Sequence, residues 1–166
     1  MTMNSVREID DRQTMKGGPN PGLFRPPIIF LGSILLGIAL NWAWLLPFRP
    51  ATLRLLGPLL TLCAVLLFLL SYLEFRAAGT SVRGSKRSST IVRTGPYRFS
   101  RHPIYLSFTL FVLGLSVWLN NLWLLLTLIP AVGIIAAVVI PREEKFLDRT
   151  FGDQYSSYKA TVRRWL

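Results

Sequence analysis

Cysteine and histidine are almost missing from this sequence: Cys63 and His102 each stand alone among 166 residues. A lone cysteine can form no internal disulfide, and one histidine with one cysteine is too few for a structural zinc site. Cys63 lies between Leu62 and Ala64 in an apolar run and reads as an inert packing residue. Acidic side chains are scarce too, eight against nineteen lysines and arginines. Charge is all but missing from four long stretches, about 28–46, 53–72, 103–119 and 122–140. The last two hold none at all, so a proton relay or ion path through a bilayer lacks its usual markers.

What remains is apolar residue in blocks. At about 1.5 Å per residue each block spans roughly 25–30 Å, one hydrocarbon core. The expected fold is all-α and integral to the membrane: four transmembrane helices, a cytoplasmic loop and C-terminal amphipathic helices. Residues 1–27, polar and rich in Gly and Pro, read as a flexible cytoplasmic arm and not a signal peptide. Residues 28–166 form one domain, with 141–166 as a tail. Seventeen of the nineteen basic residues fall on alternate sides that the two termini share, and only Arg49 and Arg54 fall opposite. The positive-inside rule then puts both termini in the cytoplasm, at the inner membrane if the cell is bacterial. The net charge of +11 is accounted for by this topology and by anionic lipid, leaving no nucleic-acid partner to expect.

Smaller features refine the picture. Gly32, Ser33 and Gly37 would let another helix approach the first span closely. Glu74, at the end of the second span, is open between an interfacial role and one in a site. Residues 77–93 make a loop longer than a connector needs, suited to a lid, a binding loop or disorder. Asn120 and Asn121 alone join the third and fourth spans, so these must form a tight antiparallel hairpin. Pro130 should kink the fourth. In the tail, Leu147, Phe151, Tyr155, Tyr158, Val162 and Leu166 recur at helical spacing, and Gly152 followed by Asp153 marks a stop and a fresh N-cap. Two short helices on the cytoplasmic face are expected, the first begun by Pro141.

Chemistry concentrates in residues 94–105, T-G-P-Y-R-F-S-R-H-P-I-Y. Pro103 suits the first position of a helix, which puts Arg101 and His102 where a span meets water. Free N–H groups and the helix dipole there favour an anion.

The segment G-P-Y-R-F-S-R-H-P-I-Y (95–105), an apolar hairpin, then E-E-x-x-L-x-x-x-F-G-x-x-Y-x-x-Y (143–158) and V-R-R resemble the isoprenylcysteine carboxyl methyltransferase family. The wider group includes membrane phospholipid N-methyltransferases. Ser107 stands where family members often carry Gly or Ala. The resemblance implies an integral-membrane methyltransferase using S-adenosylmethionine, with a lipophilic or prenylated substrate and no metal. By that similarity Tyr97, Arg101, His102, Pro103, Tyr105, Glu143, Glu144, Leu147, Tyr155 and Tyr158 contact the cofactor. Arg163 or Arg164 falls on a terminal arginine position, and Arg101, Glu144 and Arg164 are expected at the reacting centre.

These residue types suit such a ligand. Arg101, His102 and a helix N-terminus match its carboxylate, Glu143 or Glu144 its ammonium or ribose, and tyrosine faces its sulfonium and adenine. A carboxylate acceptor is already ionised near neutrality and needs no base, whereas an amine must lose a proton to His102 or a glutamate. The carboxylate reading is preferred because the sequence shows no partner that would tune His102 as a base. An amine N-methyltransferase is the first alternative, and a non-enzymatic scaffold or transporter the second.

Overall fold

The computed structural model describes residues 25–47, 55–78 and 91–165. Residues 1–24, 48–54 and 79–90, among them most of the expected N-terminal arm and of the 77–93 loop, lie outside the described residues. Within them the chain is all helical. Helix α1 is Pro26–Ala43, α2 Leu56–Ala77, α3 Pro103–Trp118 and α4 Leu122–Ile134. A 3-10 turn, Gly95–Arg98, precedes α3, and a π-helical turn, Ile135–Val139, joins α4 to α5, Ile140–Phe151. Helix α6, Asp153–Thr161, closes the fold.

By length and composition α1, α2 and the continuous helix Leu122–Phe151 can each cross a bilayer, while α3 is a shorter apolar helix of 16 residues. The molecule is an integral membrane protein. Leu122–Phe151, with 30 residues, runs about 45 Å, longer than the ~30 Å hydrocarbon core. Its charged last part, from Arg142 on, therefore projects past the apolar layer.

Neighbouring helices run antiparallel. Helices α2 and α3 touch backbone to backbone: a Cβ at Gly57 would fall 2.4 Å from Trp118 N, and one at Gly114 2.8 Å from Thr61 N. Helices α1 and α4 approach at Gly37, where a Cβ would meet Leu124 Cα at 3.0 Å, and the Thr127 hydroxyl donates to the Ser33 carbonyl at 2.9 Å. Of the three small residues expected to allow close approach, Ser33 and Gly37 do so. Gly32 has open space around it. Phe108 of α3 gathers the layers, its ring 5.4 Å from Phe30 on α1 and 5.5 Å from Phe68 on α2. Around it Phe30, Tyr105, Val112, Leu128, Ile135, Val139 and Ile140 form a buried core.

The α3–α4 hairpin satisfies its own polar groups. Asn120 takes a positive φ of 53°, and the Asn121 side chain accepts from Leu124 N while its amide donates to the Gly37 carbonyl at 3.4 Å. The Ser116 hydroxyl donates to the Asn121 carbonyl at 2.9 Å. Every described lysine and arginine lies at the opposite end of the bundle, with the 3-10 turn and the C-terminal helices.

Two expectations change. The first tail helix is not a separate start at Pro141 but an extension of α4. Proline lacks the N–H of an α-helical bond, and the π turn shifts the pattern ahead of it, with Ile140 N–H donating to the Ile135 carbonyl. Pro130 is held within α4, facing outward. The second tail helix begins at Asp153, with Gly152 (φ 52°) as the cap residue in place of Asp153. Span limits also move: α1 ends at Ala43, not 46, because the chain turns extended at Trp44, and α2 continues to Ala77 past the expected 72.

Candidate functional site

Pro103 at the first position of α3 is fully buried and makes His102 the cap residue. The His102 N–H donates to Ser100 Oγ at 3.2 Å, and the His102 carbonyl accepts from Tyr105 and Leu106 N–H. One turn into α3, Tyr105 stacks on the imidazole, ring planes 5° apart and centroids 5.4 Å. Helix α5 brings both acids against this group. The Tyr105 hydroxyl donates to Glu143 Oε1 at 2.5 Å, and Glu143 Oε2 lies 3.8 Å from His102 Nδ1.

Glu144 is the hub. Its Oε1 lies 2.8 Å from Arg101 Nη1 and 3.7 Å from His102 Nε2. Arg164 donates through Nη2 to Oε2 at 2.6 Å and through Nε to Oε1 at 3.2 Å, a two-pronged pair. Burial pushes the Glu144 carboxyl up, but His102, Arg164 and Arg101 together outweigh it and hold it at about 2. That is below the ordinary 4.5, so this group's contribution to stability is complete above about pH 4.5 and is lost as pH falls toward 2. Thermal unfolding of the purified protein should therefore depend on pH across that window, and the dependence should flatten in Glu144→Gln. An equal slope in both would contradict the assignment.

The chain past α6 seals the cluster. Arg101 N–H donates to the Arg163 carbonyl at 3.0 Å and the Ser100 hydroxyl to the Arg164 carbonyl at 3.3 Å. Of the two terminal arginines, Arg164 gives its guanidinium and Arg163 its backbone. Tyr155 and Tyr158 of α6 are buried, and the Tyr158 hydroxyl donates to the Tyr97 carbonyl at 2.7 Å. Burial first, with the Glu144 charge second, pushes the Tyr155 phenol up to about 12. Burial raises Tyr158 to about 12 as well, against the pull of Arg101 and Arg93, and drives Tyr97 further. All three are neutral hydroxyls at physiological pH.

The structure thus joins Arg101, His102, Tyr105, Glu143, Glu144 and Arg164 by direct contact and surrounds them with Tyr97, Tyr155 and Tyr158. Leu147 is half-buried one turn beyond Glu143. The sequence reading missed Ser100, whose hydroxyl bonds on both sides of the motif, and Lys159, whose ammonium meets Asp148 Oδ2 at 2.7 Å and ties α6 to α5. It also missed the acidic neighbours of His102, which has a glutamate oxygen within 4 Å of each ring nitrogen. No local pattern near residue 102 could reveal partners some forty positions away.

A helical membrane protein with a charged, tyrosine-lined site at one end is the class these observations define. Over residues 52–154 the chain matches the phospholipid methyltransferase family, and it belongs to that family. An uncharacterized protein of Haemophilus influenzae is 43% identical over 63 residues, which are 38% of this chain and 100% of that one. Protein-S-isoprenylcysteine O-methyltransferase A of Arabidopsis thaliana is 38% identical over 80 residues, 43% of this chain and 36% of its own. The cobalt-zinc-cadmium resistance protein CzcN of Cupriavidus metallidurans is 33% identical over 66 residues, 40% of this chain and 31% of its own. The match thus spans about a third of the length of these last two relatives. No solved structure matches the chain. Family and relatives together support a membrane methyltransferase.

Proposed function

We propose that this protein is an S-adenosylmethionine-dependent methyltransferase acting on the carboxylate of a prenylcysteine-like or other lipophilic substrate, with both termini and the site on the cytoplasmic side. The observation that carries the reading is the Glu144 hub, where Arg101 of one motif and Arg164 of the other meet on one carboxylate. The site also fits the donor chemically. Among the described residues, the buried side-chain polar atoms without a hydrogen-bond partner are the Tyr97 and Tyr155 hydroxyls, Arg101 Nε and His102 Nε2. Such atoms are costly unless a ligand or water meets them.

When bound, S-adenosylmethionine supplies an electrophilic methyl on a sulfonium. The tyrosine faces would hold that cation, and Glu143 or Glu144 its ammonium or ribose. Arg101, Glu144 and Arg164 would act at the reacting centre, the arginines orienting the acceptor carboxylate while the apolar walls exclude water. The wealth of lysine and arginine at the site end supports the cytoplasmic orientation. A second reading, methylation of a phospholipid or other amine, draws on the glutamates flanking His102, which suit a general base.

Transfer of labelled methyl to a panel of prenylcysteine analogues and phospholipids, followed across pH, separates the two. Carboxylate methylation is expected to hold level from about pH 6 to 8, since the acceptor is already ionised. A rate that climbs through the pKa of an amine acceptor, with label on that amine, establishes the second reading instead. No transfer, with no calorimetric binding of S-adenosylmethionine or its demethylated product, removes both.

A further inference from the structure

We propose that Glu74 is a positioning residue of the donor site: from the last turn of α2 its carboxylate fixes the 3-10 turn that carries Tyr97 and leads into Arg101 and His102. The inference rests on the functional reading above and adds a residue from a different helix. An acid in the last turn of a helix meets the negative end of the dipole, so Glu74 does nothing for α2 itself. Its contacts lie across the gap to residues 94 and 95. The Thr94 hydroxyl donates to Glu74 Oε2. Gly95, at φ 57°, approaches so closely that a Cβ there would fall 2.7 Å from Glu74 Oε1 and 2.8 Å from its Cγ. The next residue of α2, Phe75, meets the Tyr97 ring edge-on, centroids 5.1 Å apart.

Helix α6 grips the same turn from the other side. The Tyr158 hydroxyl reaches the Tyr97 carbonyl, and the Arg93 guanidinium donates to the Gln154 carbonyl at 2.5 Å while lying 5.8 Å from the Tyr158 ring centroid. The turn is thus clamped between a membrane helix and a C-terminal helix, and what the clamp sets is the entry into Ser100, Arg101 and His102. Glu74 touches none of the three; it acts through Thr94 and Gly95.

The test uses the full chain in detergent with Glu74→Ala, Glu74→Gln, Thr94→Val and the double variant Glu74→Ala/Thr94→Val. Loss of one hydrogen bond to a charged group is worth about tenfold or more. Glu74→Ala and Thr94→Val should therefore each raise KM for S-adenosylmethionine about tenfold while kcat stays within about twofold. Glu74→Gln keeps an acceptor oxygen and should stay within about threefold of the parent. The double variant should be no worse than either single one. Amide hydrogen exchange over residues 95–102 should quicken about tenfold in Glu74→Ala and Thr94→Val but not in Glu74→Gln. Unchanged KM and exchange in Glu74→Ala, or additive losses in the double variant, overturn the proposal. A parent protein that takes no methyl donor overturns the functional reading instead, and unchanged exchange in Glu74→Ala then still overturns the clamp.

Discussion

Replacing Glu144 by alanine should weaken binding of S-adenosylmethionine or its demethylated product on the order of a hundredfold and lower stability by about 3 kcal/mol, the cost of leaving buried cations without their counter-charge. The carboxylate is buried, and the Arg101 side chain that faces it is 13% exposed, so water cannot replace what is lost. Arg101 already carries an unpartnered Nε and would then lose its Nη1 contact as well. The remaining variants of the cluster should follow in a fixed order. Arg101→Ala should cost less, because Glu144 keeps both bonds from Arg164. Arg164→Ala should cost least, about 1 kcal/mol or below, since that side chain is 43% exposed and solvent screens its pairing. Calorimetric titration and thermal unfolding of each purified variant give the ranking. Helical content should persist in all three, because the apolar bundle lies away from this end. Arg164→Ala as damaging as Glu144→Ala would show that the hub is not where the energy sits.

The contrast between the hub and the bundle explains what could be read in advance. Apolar runs broken by Asn120-Asn121 announce a hairpin because a bilayer accepts only backbone that satisfies itself, and the lengths follow from its thickness. Residues 95–105 announce a site through residue type, 143–158 and the terminal arginines through a family resemblance, and Arg101, Glu144 and Arg164 do meet. What stayed hidden is tertiary. The continuation of α4 through Pro141 depends on a π turn five residues long, which no propensity foretells. The use of Glu74 depends on α2 lying against the 3-10 turn, and the glutamates around His102 depend on how α5 is rotated. In each case one residue's role is decided by a neighbour remote in the chain.

That dependence makes the α2–α3 contact the place where a small change should do the most harm. Gly57→Ala should destabilise the protein by about 1–3 kcal/mol, and Gly57→Leu should abolish recovery of folded protein, because the added atoms meet backbone and not a movable side chain. A Cβ at residue 57 would lie 2.4 Å from Trp118 N and 2.6 Å from Trp118 Cα. Thr61, one turn on, already turns its hydroxyl back onto the Gly57 carbonyl at 2.9 Å and faces Gly114. Neither helix can slide aside without parting the other pair. In lipid this matters more than in water, since there is little hydrophobic drive between spans and close packing carries the association. Helix α2 also carries Glu74 and Phe75 in its last turn, so forcing the helices apart at residue 57 would loosen the clamp on Tyr97 at its far end. Gly32→Ala is the matched control: it has open space and should be neutral or stabilising by up to about 1 kcal/mol through helix propensity. Size-exclusion profiles and thermal unfolding in detergent compare the two directly, and a Gly57→Ala protein as stable as its parent would mean that α2 and α3 do not meet at this face.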